Sequence, residues 1–113
     1  MHEMSLCENI LQILEDHSIQ QGFERVKIVF LEIGLLSAVE PEAMLFCFDA
    51  VIQGTLAEHA KLEIIEVPGN AWCTVCSKTV PLHQRFDACP ECGAYPLQIT
   101  GGADMKIREL EVE

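Results

Sequence analysis

Apolar and polar residues alternate in two distinct rhythms along this chain. In residues 3–21, EMSLCENILQILEDHSIQQ, the apolar positions Met4, Cys7, Ile10, Leu11 and Leu14 recur at three- and four-residue steps. That spacing lines one face of a helix, and Gly22 is a natural stop. The stretch SLCE, from Ser5 to Glu8, has the form of a capping box. A cap at Ser5 leaves residues 1–4 extended; a start nearer Glu3 sets the beginning of the chain at the positive end of the helix.

The rhythm then changes. Residues 25–33, RVKIVFLEI, are rich in branched and aromatic side chains and predict a strand that Gly34 ends. Residues 41–53, PEAMLFCFDAVIQ, open on proline at a first helical turn and close before Gly54. This second helix is apolar nearly all round on its middle turns, which predicts a well-buried element. KLEIIEV, residues 61–67, is a second strand, broken by Pro68-Gly69-Asn70. A third strand follows Gly101-Gly102. Its apolar phase switches between Ile107 and Leu110, which predicts a bulge or bend near Arg108.

The order is α-β-α-β, then a cysteine-bearing segment, then β. It predicts an α+β fold, a small domain with a three-stranded sheet and two helices. A zinc-ribbon-like four-cysteine knuckle domain is inserted before the last strand. The expected division is residues 1–69 plus 101–113 for the α/β domain and 70–100 for the knuckle.

Four of the six cysteines sit in that segment. CTVCSKTVPLHQRFDACPEC places Cys73, Cys76, Cys89 and Cys92 as C-x2-C-x12-C-x2-C. Two residues between cysteines let one turn aim both sulfurs at one point, and the intervening loop brings back the second pair. The product is a closed tetrathiolate, the usual form of structural zinc. So short a segment cannot hold itself together by its core alone. Zinc supplies the deficit, about 10–16 kcal/mol in comparable peptides. CPECG also suits a rubredoxin-like iron knuckle, but CTVCS lacks the matching glycine, which favours zinc over an electron carrier. His83 reads as an exposed loop residue and Trp72 as a lid over the knuckle. Cys7 and Cys47 read as small buried hydrophobes; His17 and His59 read as solvated.

Composition narrows the function. The net charge is −11, with 7 basic residues against 18 acidic ones. A nucleic-acid binder needs a basic footprint, so this chain is expected to bind none, and its acidity suits cations or basic protein partners. No apolar stretch approaches the ~18 residues of a membrane span. The start of the chain lacks the basic and apolar regions of a signal peptide, so a cytoplasmic protein is expected. No nucleophile–base constellation, phosphate loop or poised carboxylate pair stands out, and no enzyme is expected.

The remaining chemistry lies in the opening residues, MHEMS. A chain that begins X-His offers a free amine, the amide of residue 2 and the imidazole of residue 2. These close a five- and a six-membered chelate ring, and the deprotonated amide favours square-planar Ni(II) or Cu(II). The alternative is a solvated helix start.

Together, MHEMSLCENIL, RVKIVFLEIGLLSAVEPEA, LFCFDAVIQGT, the paired cysteines and the closing MKIRELEVE resemble the HypA/HybF family of nickel-insertion proteins for nickel–iron hydrogenases. The match runs in order along nearly the whole chain. The resemblance implies a nickel metallochaperone without catalysis of its own, working with a GTPase and docking on the hydrogenase large-subunit precursor. It implies Ni(II) held transiently by His2, supported by the amine of Met1 and by the main chain or carboxylate of Glu3. Glu40 matches an acidic position near that site. Zn(II) is implied at Cys73, Cys76, Cys89 and Cys92. His59 departs from the small residue usual there. The competing reading is a zinc-stabilised interaction module that never handles nickel.

Overall fold

A computed structural model describes residues 2–113, and at His2 the backbone alone. Eight elements follow in order: α1 (His2–Gln21), β1 (Val26–Gly34), α2 (Pro41–Val51), β2 (Lys61–Val67), β3 (Gly69–Cys73), β4 (Lys78–Leu82), β5 (Gln98–Gly101) and β6 (Met105–Val112). They make two helices and two three-stranded sheets, ordered β2-β1-β6 and β4-β3-β5.

In the first sheet, Val26 donates to the carbonyl of Leu56 and Leu35 to that of Val67, at 3.0 and 2.8 Å. Both partners advance together, so β1 and β2 are parallel, and α2 supplies the crossover that parallel strands require. Arg25 and Glu113 exchange backbone bonds of 3.3 and 2.9 Å, while Gly34 donates to Asp104 at 2.8 Å. β1 and β6 therefore run antiparallel. Exposure along β6 shifts phase at Arg108-Glu109, between half-buried Ile107 and Leu110.

The chain divides into two compact units. The first holds Met1–Leu31, Val39–Ile64 and Ile107–Glu113; the second holds Glu32–Ala38 and Ile65–Lys106. In the first unit α1 packs against α2. Cys7, Ile10 and Leu14 of α1 are buried, as are Met44 and Phe48 of α2 and Val29 and Leu31 of β1. Each large side chain among them stabilises by about 1.5–3 kcal/mol relative to exposure.

Of the two starts that the sequence left open for α1, the structure takes the one nearer Glu3, and the Gly22 stop and the Pro41 opening of α2 stand as expected. α1 starts at His2 and Ser5 is an exposed position inside it, so the capping-box spacing is not used. At its far end Gly22 takes φ +78° and donates to Ser18 at 2.8 Å. That is a left-handed stop available to glycine at little steric cost. α2 opens on Glu40, extended at φ −91° and ψ 114°, with Pro41 in its first turn. α2 is not buried all round: Leu45 is 43% and Phe46 76% exposed. An apolar run fixes how much surface wants burial, and the neighbours fix how many faces receive it.

In the second unit β3 is the central strand. It pairs antiparallel with β4, Ala71 opposite Val80 and Gly69 opposite Leu82, and with β5, Ala71 opposite Ile99, with a bulge between Asn70 and Ala71. β4 lies at the edge, where Pro81 removes no central hydrogen bond. The apolar clusters are small. Leu36, Ala71 and Leu82 form one, with Leu97, Ile99 and Ala103 against it; Cys73, Val80 and Cys89 form the other. Backbones also meet closely. A Cβ on Gly34 would lie 2.2 Å from the Gly102 carbonyl oxygen, and one on Gly102, at φ +77°, would lie 2.3 Å from that of Pro68. The glycines that read as strand breaks are thus also points of close approach.

Candidate metal centres

The second unit's hairpin delivers the first cysteine pair. Cys73 ends β3 on its buried face, and residues 74–77 turn the chain into β4. The amide of Cys76 donates to Cys73 Sγ at 3.4 Å, and that of Ser77 to the Cys73 carbonyl at 2.8 Å. The second pair repeats the geometry: Gly93 donates to the Cys89 carbonyl at 2.9 Å. Ser77 takes φ +55° and Gly93 φ +76°. A serine therefore fills the left-handed position that a glycine fills in the other knuckle. The missing glycine does not make the two knuckles unlike, and it carries no argument for zinc over iron. Ser77 is the residue that sequence reasoning undervalued; its place directly after the second cysteine, matching Gly93 in the other pair, is the signal that identifies it.

All four Sγ atoms lie within 4.8 Å of one another. Cys73 and Cys92 are 3.6 Å apart, Cys76 and Cys89 3.9 Å. Four sulfurs about 2.3 Å from one tetrahedral zinc stand about 3.8 Å apart, so the donor set fits the metal. Cys73 and Cys89 are buried, Cys76 is half-buried and Cys92 exposed. Without a cation the thiols ionise unequally. The amide of Cys92 lowers Cys89 to about 7, whereas hydrogen bonding with the Cys92 thiol raises Cys76 to about 12. A zinc ion supplies the charge that lets all four become thiolates.

Lys78 and Glu91 pair at 2.6 Å across the two knuckles; both are about half exposed, so the pair contributes little stability. Trp72 does not roof the cysteines. It alternates with buried Ala71 and Cys73 and so faces the other side of the sheet, 38% exposed. His17, His59 and His83 are all exposed, as expected, with His59 at φ +70°.

The other candidates gather at the helix starts of the first unit. His2 is the first residue of α1, and its side chain, like all of Met1, lies outside the described residues. Glu3 follows in the first turn, and its Oε2 accepts a hydrogen bond from the Glu40 amide at 3.2 Å. That amide holds the Glu3 carboxyl below its ordinary range. Glu40 caps α2 without a side-chain bond to its own helix. Thirty-seven residues separate the two glutamates in sequence, and the helix pair brings them together. One turn deeper, Cys7 is fully buried and its Sγ lies 3.6 Å from the Met44 carbonyl and 3.9 Å from Met44 Sδ. Burial, with the nearby Cys47 and Glu3, pushes the Cys7 thiol up to about 11. It is a protonated, unreactive thiol at neutral pH, as a small hydrophobe should be.

The chain is similar to known proteins over its whole length. A hydrogenase maturation factor HypA from Azotobacter chroococcum mcd 1 is 58% identical over all of both chains. Another from Rhodopseudomonas palustris BisA53 is 56% identical, again over all of both. The solution structure of the Ni metallochaperone HypA from Helicobacter pylori superposes with a TM-score of 0.72 at 22% identity, covering 97% of this chain and 96% of that one. A second solution structure of a HypA protein gives 0.73 at 24% identity, over 100% and 97%. At those identities the structures speak for the fold alone. The family model described as hydrogenase/urease nickel incorporation, metallochaperone, hypA, matches residues 1–112. With that match over nearly its whole length, the chain belongs to the HypA family of nickel metallochaperones that act in hydrogenase maturation.

Proposed function

We propose that this chain carries Ni(II) as cargo at the start of α1 and delivers it to the large-subunit precursor of a nickel–iron hydrogenase, with a GTPase as insertion partner. His2 supplies the imidazole and its amide, Met1 the free amine, and Glu3 its main chain or carboxylate. Glu40 adds negative charge nearby. Zn(II) is held apart, by Cys73, Cys76, Cys89 and Cys92, as a structural ion. The labour divides along the chain: residues 1–69 with 101–113 handle nickel, and 70–100 bind zinc. The protein catalyses no reaction of its own and works in the cytoplasm.

The single observation that carries the nickel reading is the Glu3–Glu40 hydrogen bond, which sets the starts of two helices side by side at the residues next to His2. Two physical points support it. The first four amides of a helix have no intrahelical partner, so the amides of His2 and Glu3 can ligate without breaking a helical bond. A helix start also carries partial positive charge that opposes a cation, and the carboxylates of Glu3, Glu40 and Glu42 offset it. A site at a chain start can shift and be competed away during transfer. A closed tetrathiolate releases its ion reluctantly, which suits structure.

The test is calorimetric titration of Ni(II) into untagged protein, His2→Ala and a form extended by two residues before Met1. We expect His2→Ala to lose specific nickel binding with zinc content unchanged, and the extension to do nearly as much damage. Binding should fall as pH drops through the imidazole range near 6.5. A His2→Ala protein that binds nickel like the wild type makes this an interaction module stabilised by zinc.

A further inference from the structure

The seven basic residues are Arg25, Lys27, Lys61, Lys78, Arg85, Lys106 and Arg108. None lies in α1 or α2, which carry Glu3, Glu8, Glu15, Asp16, Glu42 and Asp49. The helical face of the first unit is therefore acidic without internal compensation. Between the two helices runs a groove of about 400 Å³, lined by Met4, Glu8, Leu11 and Glu15 of α1 and by Ala50 and Val51 of α2. Leu11 and Val51 are half-buried, Met4 is 40% exposed, and both glutamates are exposed. Neither glutamate forms an ion pair or a side-chain hydrogen bond among the described residues. Asp16, by contrast, is engaged by Gln12 at 3.1 Å.

The spacing is that of a helix-in-groove site. Residues 4, 8, 11 and 15 follow one stripe of α1, spanning roughly 16 Å at 1.5 Å per residue. That length receives two to three turns of a second helix. Glu8 and Glu15 are seven residues apart, about 10 Å along the axis, so they match cations two turns apart on that helix. Apolar surface in the middle with unpaired charge at the sides is how specific interfaces combine burial with steering.

We infer that this groove docks an amphipathic helix of a partner protein, which seats apolar side chains on Leu11 and Val51 and sets Lys or Arg, seven residues apart, against Glu8 and Glu15. The inference rests on the carrier reading, since cargo transfer needs a docked recipient or donor. Met4, at one end of the groove, is two residues from His2, so a helix seated there lies beside the proposed nickel donors.

The experiment uses zinc-loaded full-length protein and three synthetic 18-residue peptides. One is a Leu/Lys amphipathic helix with lysines at seven-residue spacing; one has Glu in place of Lys; one scrambles the first. Binding is read by anisotropy and by the methyl signals of Leu11, Ala50 and Val51. The amphipathic Leu/Lys peptide should bind and shift those methyls, more tightly at low salt. Glu8→Lys with Glu15→Lys should weaken it about tenfold. No binding, equal binding by the double variant, or equal shifts from the scrambled peptide would overturn the inference. So would a concentration-dependent dimer that shifts the same methyls without peptide, since the occupant would then be a second copy. Nickel titration of the double variant keeps the two readings apart. Normal nickel binding with failed docking removes the groove alone, and docking by a wild-type chain that binds no nickel removes the carrier reading alone.

Discussion

Gly102→Ala tests whether close backbone approach holds the second unit together. Two penalties add at this position. Placing a residue with a Cβ at φ +77° costs roughly 1–2 kcal/mol for the left-handed conformation. The new Cβ would also stand 2.3 Å from the Pro68 carbonyl oxygen and 2.7 Å from Gly69 Cα. Ordinary carbon–oxygen contacts need about 3.3 Å or more, so backbone must part by about 1 Å. No flexible side-chain end can yield instead. Forced shifts of that kind cost about 1–3 kcal/mol, for a total of about 2–5 kcal/mol. Gly54→Ala is the control. Gly54 has φ +74° with nothing within 4 Å of a Cβ, so it should lose the conformational part alone, about 1–2 kcal/mol. The assay is urea unfolding of zinc-loaded protein with a probe in each unit: the fluorescence of Trp72, the single tryptophan, which lies in β3, for Gly102→Ala, and the amide signals of α2 for Gly54→Ala. Gly102→Ala should lower the midpoint of its unit distinctly more than Gly54→Ala lowers that of its own, with unchanged slopes. Equal shifts would refute the close-approach argument.

Three further outcomes follow from the same geometry. Ser77→Gly should keep zinc and raise stability to urea by up to about 1 kcal/mol, because it relieves a left-handed serine; a loss of stability would mean that the hydroxyl matters more than the backbone. Cys76→Ser or Cys89→Ser should lose the single, colourless zinc and melt β3–β5 while α1 and α2 stay folded by NMR; a red protein with stoichiometric iron would discard the zinc assignment. Cys7, at about 11 against an ordinary 9.0, holds its proton in the folded state after the unfolded chain has lost it. Its stabilising effect is complete below pH 9 and lost as pH rises to 11, so Cys7→Ala should flatten alkaline denaturation in that window, measured by circular dichroism.

The parts legible in the sequence are those set by local pattern. The helical stripe through Cys7, Ile10 and Leu14 and the branched run in β1 announced their elements, and two C-x2-C pairs announced a common point. The missed parts depend on residues far apart. β3, β4 and β5 have five, five and four residues, too short to show a period, and they form because pairing and the cysteine turns hold them. Exposure of Leu45 and Phe46 depends on what covers α2, which no window of sequence contains. The use of Glu3 against Glu40 is a long-range contact that no local pattern announces, and α1 begins ahead of the cap that Ser5 advertised. Trp72 sits beside Cys73 in sequence, but strand alternation sends the two side chains to opposite faces.

The two units are woven from one thread. The chain passes between them at Leu31/Glu32, Ala38/Val39, Ile64/Ile65 and Lys106/Ile107. Leu36 comes from the short earlier visit, yet it packs with Ala71 and Leu82, and its carbonyl accepts from Arg85 Nε at 2.8 Å. The cysteine-bearing stretch is therefore not a cassette. Cut out as a continuous fragment, or grafted from a relative by a single crossover on each side, it would leave behind the leucine that completes its apolar cluster. A working transplant has to carry residues 32–38 as well. For recombination, residues 32–38 and 65–106 are inherited together or not at all.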